Sequence, residues 1–240
     1  MAERFQLLDY AYAHRGLWTD GGLAENSLEA ILAAAEAGLG CELDVRPAAC
    51  GTPIVFHDPL LDRMTGESGL VSRRTAEELM NLELAGGGTL PKLTQVLDAW
   101  PRKTPLLIEM KIDGSTDAAG FASLVAERVA AHDGPAAMMS FSPRAVEAVP
   151  EGVMKGALVM PSLTSTELTL DALISSAAML RPDYLACHVT DAKRASMIAT
   201  DYGLPVAVWT VASQEVANEM MQFPVSQIFE GFDPAFARRS

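Results

Sequence analysis

The chain has 240 residues, 49% of them apolar, so it holds the material for a full hydrophobic core and is not a disordered polymer. Asp and Glu number 31 against 18 Lys and Arg, a formal charge of −13, which argues against binding a nucleic-acid backbone or an anionic membrane surface. A small anionic substrate is not excluded, because a local pocket reads it and net charge does not.

The opening stretch MAERFQLLDYAYAHRG lacks the basic start and apolar run of a signal peptide. No window approaches the ~18–20 apolar residues that cross a bilayer. The three cysteines, Cys41, Cys50 and Cys187, have neither zinc-site spacing nor disulfide density. These features lead to the expectation of a cytoplasmic protein without stable membrane association. The sequence does not indicate an oligomeric state.

Short apolar runs alternate with longer stretches of helical spacing. The runs read as strands at 11–14, 41–45, 53–57, 106–111, 136–141, 153–159, 184–188, 206–211 and 227–230. The clearest helical pattern is 27–37, where Leu28, Ile31, Leu32 and Ala35 recur at i, i+3, i+4, i+7, with Asn26 and Glu29 as a start signal and Gly38 to end it. Further helices are expected at 118–131, 143–149, 168–180, 192–202 and 213–221. Strands alternating with helices argue for a parallel sheet, and about eight units favour a closed (β/α)₈ barrel. Nine candidate strands are one too many for such a barrel. Residues 59–88 break the rhythm with Gly66, Gly69, a capped segment from Thr75 with Glu78, and three glycines at 86–88. The expectation is a single domain over 1–240, with 59–88 a small insertion after strand three.

The strand ends carry the chemistry. The first ends His14-Arg15-Gly16, the second bears Glu42 and Asp44, the third ends His57-Asp58, and the fourth bears Glu109 and Lys111. Residues two apart on a strand share a face, so each charged pair points one way, and apolar Leu43, Val45, Met110 and Ile112 point the other. Three carboxylates gathered in a partly enclosed site repel one another and lose hydration. A hard divalent cation such as Ca²⁺ or Mg²⁺, with Mn²⁺ a further candidate, relieves both penalties. Such a metal, with Lys111 and Arg15, forms a receptor for phosphate. His14 and His57 add groups that exchange protons near neutral pH.

These residues resemble the glycerophosphodiester phosphodiesterase family. The resemblance rests on AHRG at 13–16, ENS at 25–27, ELDV at 42–45, PIVFHDPLLDRMTG at 53–66, LPKLTQVL at 90–97, IEMK at 108–111, SFSP at 140–143 and VWTV at 208–211. It implies a (β/α)₈ (TIM) barrel with the insertion, a divalent metal on Glu42, Asp44 and Glu109, and His14 with His57 as the acid/base pair. It also implies that Arg15 and Lys111 hold the phosphate and that Phe141 and Trp209 wall the pocket. The implied reaction is metal-dependent hydrolysis of a glycerophosphodiester to glycerol 3-phosphate and an alcohol. Asn26 as a helix cap and Glu25 as a partner for Arg15 are equally good structural readings.

Three departures stand out. Glu230-Gly231-Phe232-Asp233-Pro234 replaces the usual Thr-Asp-Tyr-Pro, Ala212 replaces the Asn after the tryptophan strand, and Cys50 replaces a turn Asp. The first two bear on substrate preference, and Glu230 carries over no role beyond pocket lining. One rival reading is a lysophospholipase D or sphingomyelinase D type enzyme acting on lipids, with Leu60, Leu61 and Met64 as its apolar surface. Another is a phosphodiester-binding protein without turnover, which would be expected to lack a ligand or a histidine. His132, at a helix end, is expected to be solvated, and His188 ends a strand but is assigned no role in the pocket.

Overall fold

The computed structural model describes residues 3–19, 22–114, 116–162 and 169–237. Among the described residues nine strands form one sheet: β1 (Tyr12–His14), β2 (Gly40–Pro47), β3 (Pro53–Val55), β4 (Leu106–Met110), β5 (Ala136–Ser140), β6 (Met154–Leu158), β7 (Tyr184–His188), β8 (Val206–Val211) and β9 (Val225–Phe229). All but β3 run parallel, and β1 pairs with both β9 and β2, which closes an eight-stranded barrel. The ninth candidate strand is thus explained. β3 is no stave of the barrel but an antiparallel return along the far end of β2, with Val45 opposite Val55 and Pro47 opposite Pro53. His57 therefore reaches the site on a descending segment, not at the top of an ascending barrel strand.

Helices α1 (Leu28–Glu36), α3 (Leu93–Ala99), α4 (Ala118–Ala131), α5 (Pro143–Ala148), α6 (Leu170–Ala178), α7 (Ala192–Asp201) and α8 (Gln214–Met220) fall between successive barrel strands, and α2 (Ala76–Met80) lies in the 59–88 segment. The expected helix at 168–180 begins, among the described residues, at Leu170, and Leu168 lies outside them. Helix α3 has no counterpart among the expected helices. Ser27 caps α1 by accepting the Ala30 N–H, which corrects the start signal assigned to Asn26. Glu29 bonds Thr89 instead. The capping box of Thr75 and Glu78 starts α2 as expected.

Alternation along each strand builds two cores. Leu43, Val45, Ile108, Met110, Met138 and Val208 face the helices. Tyr12, Leu107, Ala137, Tyr184, Ala207 and Ile228 fill the lumen, closed from below by Leu7. Glycine at 156 permits this filling, since a Cβ there would lie 2.3 Å from the Tyr184 ring. Residues 59–88 contribute Leu61, Val71, Leu79 and Leu84 to a third cluster, built against Ile54, Phe56 and Leu90. Leu61 is fully buried there, so of the apolar surface proposed for a lipid substrate only Leu60 stands open, at 46% exposure. His132 is buried, not solvated: the chain turns back into β5 directly after α4, and Nε2 lies 2.6 Å from where a Gly134 Cβ would sit.

Candidate active site

At the C-terminal end of the barrel, the lumen-facing rows of several strands change from apolar to charged or aromatic. Leu107 is followed by Glu109 and Lys111, Tyr12 by His14, and Ala207 by Trp209. His14, Arg15, Glu42, His57, Glu109, Lys111, Phe141 and Trp209 all line one cavity of about 170 Å³, floored by Met139, Leu158 and Ile228. Asp44 lies at its edge through ion pairs with Lys111 Nζ at 3.0 Å and Arg15 Nε at 3.2 Å. The structure therefore brings together all nine residues singled out in the sequence.

Glu42, Asp44 and Glu109 are buried, and one oxygen from each lies within 4.8 Å of the others. The register Asp44↔Glu109 between β2 and β4 sets this spacing. Burial, reinforced by the Asp44 and Glu109 charges, pushes the Glu42 carboxyl well above the usual range. Burial also raises Glu109, although Lys111 at 2.6 Å opposes the shift. For Asp44 burial acts in the same direction but is outweighed by Lys111 and Arg15, which hold it below the usual carboxylate range. Glu42 Oε1 has no hydrogen-bond partner among the described residues. A buried, unpartnered carboxylate oxygen within an all-oxygen cluster fits a hard divalent cation. Glu42, Asp44 and Glu109 could hold a metal ion.

The backbone around Arg15 is built to aim side chains. Arg15 and Asn26 adopt left-handed φ values of +59° and +58°, conformations that persist only when surroundings fix them. Gly16 follows at φ +88°, where a Cβ would lie 2.6 Å from the Ala30 carbonyl carbon of α1. Hence the glycine of the HRG motif. Asn26 Nδ2 donates to Asp44 Oδ2 at 2.8 Å, and its Oδ1 accepts the Asp44 N–H at 3.2 Å. It clasps the acid where it was expected to cap the helix. Glu25 does pair with Arg15, at 2.9 Å.

Several participants escaped the sequence reading. Arg63, from the 59–88 segment, donates to both oxygens of Asp58 and both of Glu25. Asp58 in turn lies 2.6 Å from His57 Nδ1, and its carboxylate is held at about 2, chiefly by the Arg63 hydrogen bonds. The His57 imidazole is pushed down, first by burial, with Lys111 and Arg15 adding to it and Asp44 opposing. On the other side, Glu230 Oε2 lies 2.5 Å from His14 Nδ1. The alternation that turns Ile228 into the lumen also turns Glu230, two residues on, towards the site. His188 bonds Thr190 and sets its ring edge-on to Trp209, 5.2 Å between centroids, outside the cavity lining. Trp209 meets Phe141 edge-on at 5.6 Å.

Residues 14–230 match the model of the glycerophosphoryl diester phosphodiesterase family. Among curated proteins the chain is similar to a glycerophosphodiester phosphodiesterase of Bacillus altitudinis, 34% identical over 112 residues, 43% of this chain and 45% of that one. It is also similar to glycerophosphodiester phosphodiesterase 1 of Homo sapiens, 38% identical over 81 residues, 33% of this chain and 24% of the other. The matched stretches thus span less than half the length of these relatives. Among solved structures, a putative glycerophosphoryl diester phosphodiesterase from Silicibacter pomeroyi superposes with TM-score 0.81 at 22% identity, over 97% of this chain and 93% of that one. A phosphodiesterase from Oleispira antarctica, in complex with the product sn-glycerol-3-phosphate, gives 0.78 at 22% identity over 92% of each chain. At that identity the likeness is one of fold.

Proposed function

The chain belongs to the glycerophosphoryl diester phosphodiesterase family, and from that premise we propose that it hydrolyses glycerophosphodiesters to glycerol 3-phosphate and an alcohol, with His14 and His57 as the acid/base pair. One observation carries the reading: two histidines, two cations and a cluster of three acids converge on one cavity of about 170 Å³. The product bound by the Oleispira antarctica protein supports the same substrate class.

Glu42, Asp44 and Glu109 would hold a divalent cation, Mg²⁺, Ca²⁺ or Mn²⁺, which supplies Lewis-acid stabilisation of charge on a phosphoryl oxygen. Arg15 and Lys111 each carry a full positive charge beside this cluster and would bind the non-bridging phosphate oxygens. Each histidine has Nδ1 against a carboxylate, which leaves Nε2 for proton transfer. One imidazole takes the proton of the attacking oxygen and the other protonates the leaving alkoxide. Phe141 and Trp209, edge-on to each other, form an apolar wall of the cavity.

In this reading residues 59–88 are an insertion within a single barrel domain, tied to the chemistry through Arg63. Among the described residues no helix is long and apolar enough to cross a membrane, and all three cysteines are free. The cytoplasmic setting expected from the sequence stays part of this reading. The test is an enzyme-coupled assay of glycerol 3-phosphate release from several glycerophosphodiesters, in chelator and with added Mg²⁺, Ca²⁺ or Mn²⁺. Release that needs a metal is expected. No release from any of them, or full activity in chelator, removes the reading or its metal.

A further inference from the structure

The two histidines are braced in different ways. Asp58, behind His57, is itself gripped by both Nε and Nη2 of Arg63. Glu230, behind His14, has no Lys or Arg within ion-pair distance among the described residues, so its carboxylate serves the imidazole alone. The placement is built into the sheet. β1 and β9 are paired in parallel with Tyr12 opposite Ile228 and Ala13 opposite Phe229, so His14 and Glu230 come next in register on neighbouring strands. The Glu230 N–H donates to the Val211 carbonyl at 3.1 Å, and Gly231, at φ +79°, turns the chain away immediately afterwards. The backbone that carries the carboxylate is fixed on both sides of it.

We infer that Glu230 is a positioning residue that sets the tautomer and the ring plane of His14, an inference that rests on the phosphodiesterase reading above. A carboxylate can only accept, so the 2.5 Å contact places the hydrogen on Nδ1. That leaves Nε2, 3.8 Å from Glu42 Oε2, as the nitrogen that faces the acidic cluster and exchanges protons there. An imidazole without such a partner favours the opposite tautomer, with its hydrogen on Nε2, and is free to turn about χ2. Both changes remove the proton-transfer nitrogen from its working position while leaving the substrate pocket intact. This chain carries Glu at the end of its last strand, and among the described residues no other side chain bonds His14 Nδ1.

The experiment compares wild type, Glu230→Gln and Glu230→Asp in the full chain by steady-state kinetics, thermal melting and proton NMR of the imidazole N–H groups. Glu230→Gln is expected to lower kcat by about 10–10²-fold, as misplacement of a reacting group does, with KM changed less than about threefold by the same reasoning. Its melting temperature should match wild type, and the far-downfield Nδ1–H resonance of His14 should vanish. Glu230→Asp, a shorter acceptor, should recover part of both kcat and the resonance. Unchanged kcat in Glu230→Gln overturns the inference. So does a loss of kcat that follows the melting temperature while the resonance stays in place, because that outcome makes Glu230 a fold residue only. If wild type releases no glycerol 3-phosphate at all, the phosphodiesterase reading fails instead, and the resonance still reports whether Glu230 sets the tautomer.

Discussion

The lower and upper halves of the barrel lumen are made from the same strand faces, yet they are opposite in character. Below lie Tyr12, Leu107, Ala137, Tyr184, Ala207 and Ile228, apolar and mutually packed. Two residues further along those rows stand His14, Glu109, Trp209 and Glu230, with Glu42 and Asp44 from β2 between them. The lower half gains from burial, at about 1.5–3 kcal/mol for each large side chain. The upper half loses by it, as the raised Glu42 carboxyl shows. The same sheet thus separates a layer that stabilises from a layer held at a cost for chemistry.

That separation breaks most visibly at the histidines. His14→Ala should lower kcat by about 10²–10⁴-fold with an unchanged melting curve, and turnover close to wild type would show that the role is misassigned. The complementary change is Leu107→Ala in the fully buried lower layer. It should cost about 2–5 kcal/mol in urea unfolding, while kcat/KM measured well below the transition stays near wild type. A Leu107→Ala protein whose activity fell while its stability did not would erase the division between the halves.

How much of this was legible in the chain follows from the same division. The period-2 rows of β2 and β4 place Glu42, Asp44, Glu109 and Lys111 together from the sequence alone, because apolar Leu43, Val45 and Met110 must face the helices. Their conjunction with HRG and the His-Asp stretch pointed to the family. Direction was not legible: nothing in Pro53–Val55 says that it runs antiparallel to β2, since a three-residue apolar strand looks alike in either sense. Bracing contacts between distant residues were also out of reach. Arg63 lies 38 residues from Glu25, and its guanidinium meets both acids only once the 59–88 segment has folded on its own small core. A short polar side chain ahead of a helix is usually its cap, which is why the sequence points to Asn26 there, but a left-handed φ turns it towards Asp44. For Glu230 the sequence does carry a signal, since the alternation that turns Ile228 into the lumen turns the residue two positions on the same way.

A sharper form of the comparison removes charge from the upper layer without removing volume. Burial first, then Asp44 and Glu109, raise the Glu42 carboxyl in the folded state. A raised carboxyl contributes stability while it is protonated and loses it as pH climbs above the unfolded value, so the chelated wild type should weaken as pH rises above the ordinary carboxylate range. Glu42→Gln should lack that slope and be more stable than wild type at neutral pH in chelator, by about 1–2 kcal/mol. Added metal should reverse the order, because only wild type gains by binding. Its turnover should fall with its metal affinity and return in part at high metal concentration. Equal stability of the two proteins in chelator at every pH would show that the acid cluster carries no such cost.

The smallest expected effect distinguishes the arm behind His57 from the lumen. Asp58 is held at about 2 against an ordinary 3.8, through Arg63 first and His57 after it, with burial opposing. Because the folded value lies below the unfolded one, this contact stabilises fully above about pH 4 and fades as pH falls from there towards 2. The carboxylate is partly open to solvent, so screening keeps its worth to about 0.5–1 kcal/mol. Asp58→Asn should therefore melt slightly below wild type at pH 7, and the gap should close as both are titrated from pH 5 towards pH 3. The slope is opposite to that of Glu42, although both acids border the same cavity. The reason is their setting: Asp58 is braced by a guanidinium at the rim, whereas Glu42 sits among like charges at the centre. A gap that stays constant down to pH 3 would mean that Arg63 holds the segment through Glu25 alone.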